Sequence, residues 1–109
     1  MAKSREEVLR LVHEFREQLA ATYGPRLKGV YLYGSYARGE ATEDSDIDVA
    51  VVLAGPVSRA EEDKRTDDLV GDLSLREDCV LMPFFLSEDE HARAPYAVFR
   101  NIVREGVGV

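Results

Sequence analysis

The sequence predicts an α/β (α+β) fold, a small mixed β-sheet flanked by helices, in a single domain spanning residues 1–109. Three observations carry that prediction. Helical apolar spacing alternates with short runs of β-forming residues in the order helix, strand, strand, helix, strand, helix, which suits a sheet with helices packed on it. A serine followed three residues later by glutamate, the capping-box pattern, recurs at Ser4, Ser58 and Ser87, and Gly-Pro or Gly-Ser pairs close several segments. With 109 residues and 45% apolar composition, the chain can bury one core and has no room for two.

Ser4 and Glu7 open the first helix, along which Val8, Leu11, Val12, Phe15 and Leu19 fall on one face. Gly24-Pro25 stops it. Val30-Tyr31-Leu32-Tyr33 reads as a strand ending at Gly34-Ser35, and residues 34–45 form a turn or short helix with glycines at 34 and 39. Ile47 to Leu53 is a second strand, closed by Gly55-Pro56. Ser58 with Glu61 starts a helix whose first half, Glu61 to Arg65, is a solvated face and whose second half brings in Leu69, Val70 and Leu73. Cys79 to Leu86 is a third strand, in which Pro83 removes a ladder donor and points to an edge position or a strand end. Ser87 with Glu90 offers a further cap, and Pro95 fits the first turn of a last helix carrying Phe99, Ile102 and Val103, with Gly106 as its stop.

Fourteen Lys and Arg against twenty-one Asp and Glu give a net charge of −7 and a pI near 4.8. No basic stripe forms, which argues against direct capture of nucleic acid through its phosphates. Cys79 is the single cysteine, and no Cys and His spacing matches a zinc site, so a reducing, cytoplasmic setting is expected. The first residues contain no apolar signal segment and no apolar run approaches the ~20 residues of a membrane span, so no membrane association is expected. His13 and His91 are expected to be exposed, Cys79 to be a buried inert thiol, and Tyr31, Tyr33 and Tyr36 to serve packing.

The chemistry concentrates between residues 34 and 48. Residues two apart in a strand share a face, so the Asp46 and Asp48 side chains can converge while Ile47 points into the core. Two carboxylates so close repel and raise each other's pKa unless a cation lies between them, and for an all-oxygen donor set Mg²⁺ is the natural one. Gly34-Ser35, at a strand end and the start of a short helix, offers backbone N–H groups and a hydroxyl to an anion. Metal on one side and donors on the other would clamp a triphosphate for nucleotidyl transfer.

Gly34-Ser35, ten residues, then Asp46-Ile47-Asp48, within the string Gly34-Ser35-Tyr36-Ala37-Arg38-Gly39-Glu40 to Ser45-Asp46-Ile47-Asp48-Val49, resembles the signature of the nucleotidyltransferase superfamily to which DNA polymerase β belongs. In size and in its ending, Arg104-Glu105-Gly106, the chain is similar to the minimal nucleotidyltransferases. The resemblance implies a polymerase β palm-like fold and an ATP or other NTP substrate. It implies that Gly34 and Ser35 hold the β- and γ-phosphates, that Asp46 and Asp48 ligate Mg²⁺, and that Ser45 and Arg38 make supporting phosphate or loop contacts. Arg38 can equally neutralise the acidic stretch from Glu40 to Asp48. The superfamily adds a third carboxylate on the strand after the middle helix, as general base. Here that strand begins Cys79-Val80-Leu81-Met82 and carries no acid, so either Asp78 reaches the site from the strand's start or the third carboxylate is absent.

The resemblance further implies transfer of a nucleoside monophosphate, AMP from ATP, to a small helical HEPN-type partner protein in a toxin–antitoxin pair, since no acceptor-holding helical domain is present. The competing class of function is a non-catalytic antitoxin or interaction module that neutralises its partner by binding alone.

Overall fold

The computed structural model describes residues 2–109. Helix α1 (Arg5–Tyr23) leads through a single 3-10 turn into β1 (Leu27–Tyr33), and the short α2 (Ser35–Arg38) separates β1 from β2 (Ile47–Leu53). The long α3 (Arg59–Glu77) then precedes β3 (Leu81–Ser87), α4 (Glu88–Arg93), α5 (Ala97–Glu105) and the two-residue β4 (Val107–Gly108). The sheet order is β3-β2-β1-β4. β1 is antiparallel to both of its neighbours, with Tyr33 opposite Asp48, while β3 lies parallel to β2 with Met82 abreast of Asp48. A parallel pair needs a long crossover, and α3 supplies it.

β2 is buried on both faces. Ile47, Val49, Val51 and Leu53 enter the core formed with α1 and α3, around Val12, Phe15, Leu19 and Leu73. Ala50 and Val52 enter a smaller core on the opposite face, beneath Phe99 and Ile102 of α5. Because strand side chains alternate, Asp48 falls on the α5 side of the sheet, at the strand mouth. Apolar burial of this kind contributes about 1.5–3 kcal/mol per large side chain and fixes the register of the strand that carries the acidic pair.

Local signals explain most element boundaries. Ser4 with Glu7 and Ser87 with Glu90 form reciprocal capping boxes, but Ser58 makes no side-chain cap. That helix end is held instead by Arg59, which donates to the Glu90 carboxylate at 3.1 Å and the Phe85 carbonyl at 3.3 Å, and lies over the Phe84 and Phe99 rings. Pro95 lies ahead of α5 rather than in its first turn, because Ala94 (φ 45°) ends α4 in a left-handed turn and Tyr96 becomes the next N-cap. β3 starts two residues later than expected, since the Cys79 N–H still donates to Ser74 O and closes α3. Pro83 does lie on an edge strand. His91 is half-buried, stacked on Tyr31 with ring centres 5.2 Å apart, whereas His13 is exposed. Cys79 is half-buried rather than buried, and burial raises its thiol pKa. No described helix is long and apolar enough to cross a membrane.

Candidate functional site

Gly34 ends β1 at φ +77°, ψ −156°, a conformation essentially restricted to glycine. A Cβ at this position would overlap the Asp48 carboxylate, so glycine is needed for the turn and for the close approach of the two strands' ends. The chain then makes one helical turn, Ser35–Arg38, closed by an N–H···O bond of 3.1 Å from Arg38 to Gly34 O. This turn aims the Arg38 guanidinium back toward the strand mouth.

An open cleft of about 500 Å³ results. Tyr33, Gly34, Ser35, Arg38 and Asp48 form one wall, and Val98, Asn101 and Glu105 of α5 form the other. The Glu105 carboxylate crosses between them: its Oε2 accepts from the Gly34 N–H at 3.2 Å and from Arg38 Nη1 at 2.8 Å. Arg38 also pairs with Glu40 at 3.4 Å, so it both faces the cleft and neutralises part of the acidic stretch. Burial pushes the Asp48 carboxyl above its usual range, with the Asp46 charge adding to the shift, Arg38 opposing it and Glu105 adding a smaller push. The Tyr33 hydroxyl is pushed up to about 12 by burial, then by Asp48 and Glu105.

Ser45, Asp46 and Asp78 line an adjoining cavity of about 420 Å³ rather than the cleft itself. The Ser45 hydroxyl accepts from the Thr42 N–H at 2.9 Å, which pins the loop leading into β2. Asp46 is exposed, and its charge adds to the upward shift at Asp48. Asp78 serves as the left-handed C-cap of α3 (φ 50°). The structure therefore brings Gly34, Ser35, Arg38 and Asp48 together at one cleft and places Asp46 with Ser45 and Asp78 at a second cavity.

The sequence pattern assigns neither Glu105 nor Tyr33 to the site: Tyr33 reads there as packing and Glu105 only as part of the ending Arg104-Glu105-Gly106. The available signal was the stripe Val98, Asn101, Glu105, spaced three and four apart on α5 and flanking the buried Phe99 and Ile102. Across the sheet, the position abreast of Asp48 on β3 is Met82, 47% exposed.

Among the described residues, no group of three or more His, Cys, Asp or Glu side chains is gathered as a metal site. Mg²⁺ does not require one, because it binds through one or two carboxylates and completes its shell with phosphate oxygens and water. An all-oxygen donor set, in which burial and then the Asp46 charge raise the Asp48 carboxyl, fits such a cation.

A sheet end that sets main-chain and guanidinium donors beside the Asp48 carboxylate offers the parts that phosphoryl and nucleotidyl transfer use, anion donors and a cation ligand. Comparison with known proteins makes the class specific. A family model described as "Nucleotidyltransferase domain" matches residues 12–104, and the chain belongs to this nucleotidyltransferase family. A candidate protein adenylyltransferase of Methanocaldococcus jannaschii is 34% identical over 96 residues, covering 87% of this chain and 90% of that one. The crystal structure of a candidate nucleotidyltransferase from Sulfolobus solfataricus superposes with a TM-score of 0.68 at 25% identity, over 99% of this chain and 87% of that one. The fold also matches, with a TM-score of 0.51 at 22% identity, a structure of tri-AMPylated Shewanella oneidensis HEPN toxin in complex with MNT antitoxin, covering 91% of this chain and 69% of that one.

Proposed function

We propose that this chain transfers AMP from ATP, in the presence of Mg²⁺, to a hydroxyl of a small helical HEPN-type partner protein. The observation that carries this reading is that Gly34, Ser35, Arg38 and Asp48 line one cleft at one end of the sheet, with the Asp46 charge acting on the Asp48 carboxyl. The name of the M. jannaschii relative supports adenylyl transfer to protein, and the toxin complex supports the partner.

Asp46 and Asp48 would hold the cation, which when bound neutralises triphosphate charge and polarises the α-phosphate. The Gly34 N–H and the Ser35 hydroxyl would hold the terminal phosphates, with Arg38 adding a charged donor on the same side. Ser45 would fix the loop that presents Asp46. The acceptor oxygen bonds to the α-phosphorus as the bond to the β-phosphate oxygen breaks, pyrophosphate leaves, and the acceptor's proton passes to a base. Asp78 is the β3-side candidate for that base, acting from the cavity it shares with Asp46.

A second reading, neutralisation of the partner by binding alone, is favoured by one observation: Met82 occupies the β3 position abreast of Asp48, where an acid would complete the site. Incubation with Mg²⁺, α-labelled ATP and the HEPN-type partner separates the readings. Label on the partner with the wild type, lost with Asp46→Asn and Asp48→Asn, is the result expected. Inhibition of the partner that survives both substitutions and needs no ATP overturns the enzymatic reading.

A further inference from the structure

Two anion donors of the cleft are already taken, and by a single atom. Glu105 Oε2 accepts from the Gly34 N–H and from Arg38 Nη1 at 3.2 and 2.8 Å. The side chain is only 12% exposed, and its other oxygen has a single long approach, to Arg104 Nη2 at 3.8 Å. A main-chain N–H and a guanidinium converging on one carboxylate oxygen is the donor pattern that a phosphate oxygen would meet in the same place.

We propose that Glu105 is an internal anion that occupies the phosphate donors of the cleft in the nucleotide-free protein and that an incoming polyphosphate displaces it. This rests on the reading of the cleft as a nucleotide site. Glu105 and a phosphate oxygen cannot share Gly34 N–H and Arg38 Nη1, and two anions at that distance repel, so binding requires the carboxylate to leave. The backbone beneath Glu105 is fixed: the Gly106 N–H donates to Ile102 O at 2.8 Å, and Val107 and Gly108 pair with Leu32 and Tyr31 of β1. Displacement therefore proceeds by rotation of the Glu105 side chain rather than by movement of α5. The consequence is selectivity by charge. A ligand must bring a strong anion to displace Glu105, so nucleosides and monoanions are held less well than polyphosphates.

The test titrates inorganic tripolyphosphate and Mg²⁺ with the non-hydrolysable analogue AMP-PNP into wild type, Glu105→Gln, Glu105→Ala and Arg38→Ala, with circular dichroism to verify folding. Wild type is expected to bind, Arg38→Ala more weakly, and both Glu105 variants about tenfold more tightly than wild type, a change of ~1.4 kcal/mol. Wild-type binding that the Glu105 variants leave unchanged or weaken overturns the proposal alone and makes Glu105 a positioning residue for Arg38. Absence of binding by wild type and all variants overturns the nucleotide-site reading itself, and the proposal with it. In wild type, the Gly34 amide and Glu105 carboxyl-carbon resonances are both expected to shift on saturation with tripolyphosphate. A Glu105 resonance that does not move while the ligand binds refutes displacement without any substitution.

Discussion

Replacing Gly34 with alanine tests the link between backbone geometry and the acidic pair. At φ +77°, ψ −156° any residue with a Cβ is strained, at a cost of about 1–3 kcal/mol. The added Cβ would also overlap the Asp48 carboxylate and lie 3.1 Å from Asp48 Cγ and 3.2 Å from its Cβ. Asp48 Cβ is fixed by β2, so the strand ends must separate, which adds about 1–3 kcal/mol of overpacking. The sum, about 2–6 kcal/mol, corresponds to a fall in melting temperature of roughly 10 °C or more for a domain of this size. Gly39→Ala is the internal control: its φ of +73° is also strained, but nothing lies within 4 Å of the added Cβ, so only the backbone cost of about 1–2 kcal/mol applies. Urea denaturation gives both stabilities, and tripolyphosphate binding reports the cleft. Equal losses of stability and of binding in Gly34→Ala and Gly39→Ala would refute the argument that glycine at position 34 makes room for Asp48.

Further outcomes follow from other contacts. Glu90 lies below its usual pKa of 4.5: burial opposes the shift, but the Ser87 N–H and Arg59 outweigh it. Its contribution is therefore complete above pH 4.5 and is lost as pH falls through the lowered value, so Glu90→Gln should cost about 1 kcal/mol at pH 7 and converge with wild type in acid, read by urea unfolding across pH. Tyr23 donates at 2.7 Å to Glu62, which is 3% exposed, and removing that donor in Tyr23→Phe should destabilise by about 1–3 kcal/mol in the same assay. Met82→Asp sets a third carboxylate abreast of Asp48 at an exposed position. It should strengthen Mn²⁺ binding by isothermal titration severalfold, and unchanged affinity would show that the β3 position does not face the site.

What could be read in the sequence was whatever is local in the chain. The apolar stripe Val8 to Leu19, the run Ile47 to Leu53 and the capping boxes at Ser4 and Ser87 specify their elements through periodicity and neighbouring hydrogen bonds. The contiguous segment Gly34 to Asp48 carried its own spacing, and the nucleotidyltransferase resemblance drawn from it agrees with the family match. Contacts between distant residues were not legible. Arg59 ties the uncapped start of α3 to residues 26 and 31 positions away, and Glu105 reaches Gly34 across 71. β4 escaped because two residues cannot display a period; only its pairing with Tyr31 and Leu32 makes it a strand. The apportioning of Asp46 and Asp78 to one cavity and Asp48 to another depends on how α3 ends at its left-handed cap, which spacing alone does not fix.

The wall that closes the cleft is built from the chain's last helix, and this gives the site a birth order. Asp48 and Glu105 are 57 residues apart, so at a synthesis rate of ~5–20 residues per second α5 is made about 3–11 s after the Gly34 to Asp48 hairpin. In that interval Glu105 has not been made, so the Gly34 N–H and Arg38 Nη1 have yet to meet the carboxylate oxygen they share in the folded chain. The contacts that join the two walls of the cleft therefore form only once α5 has been made.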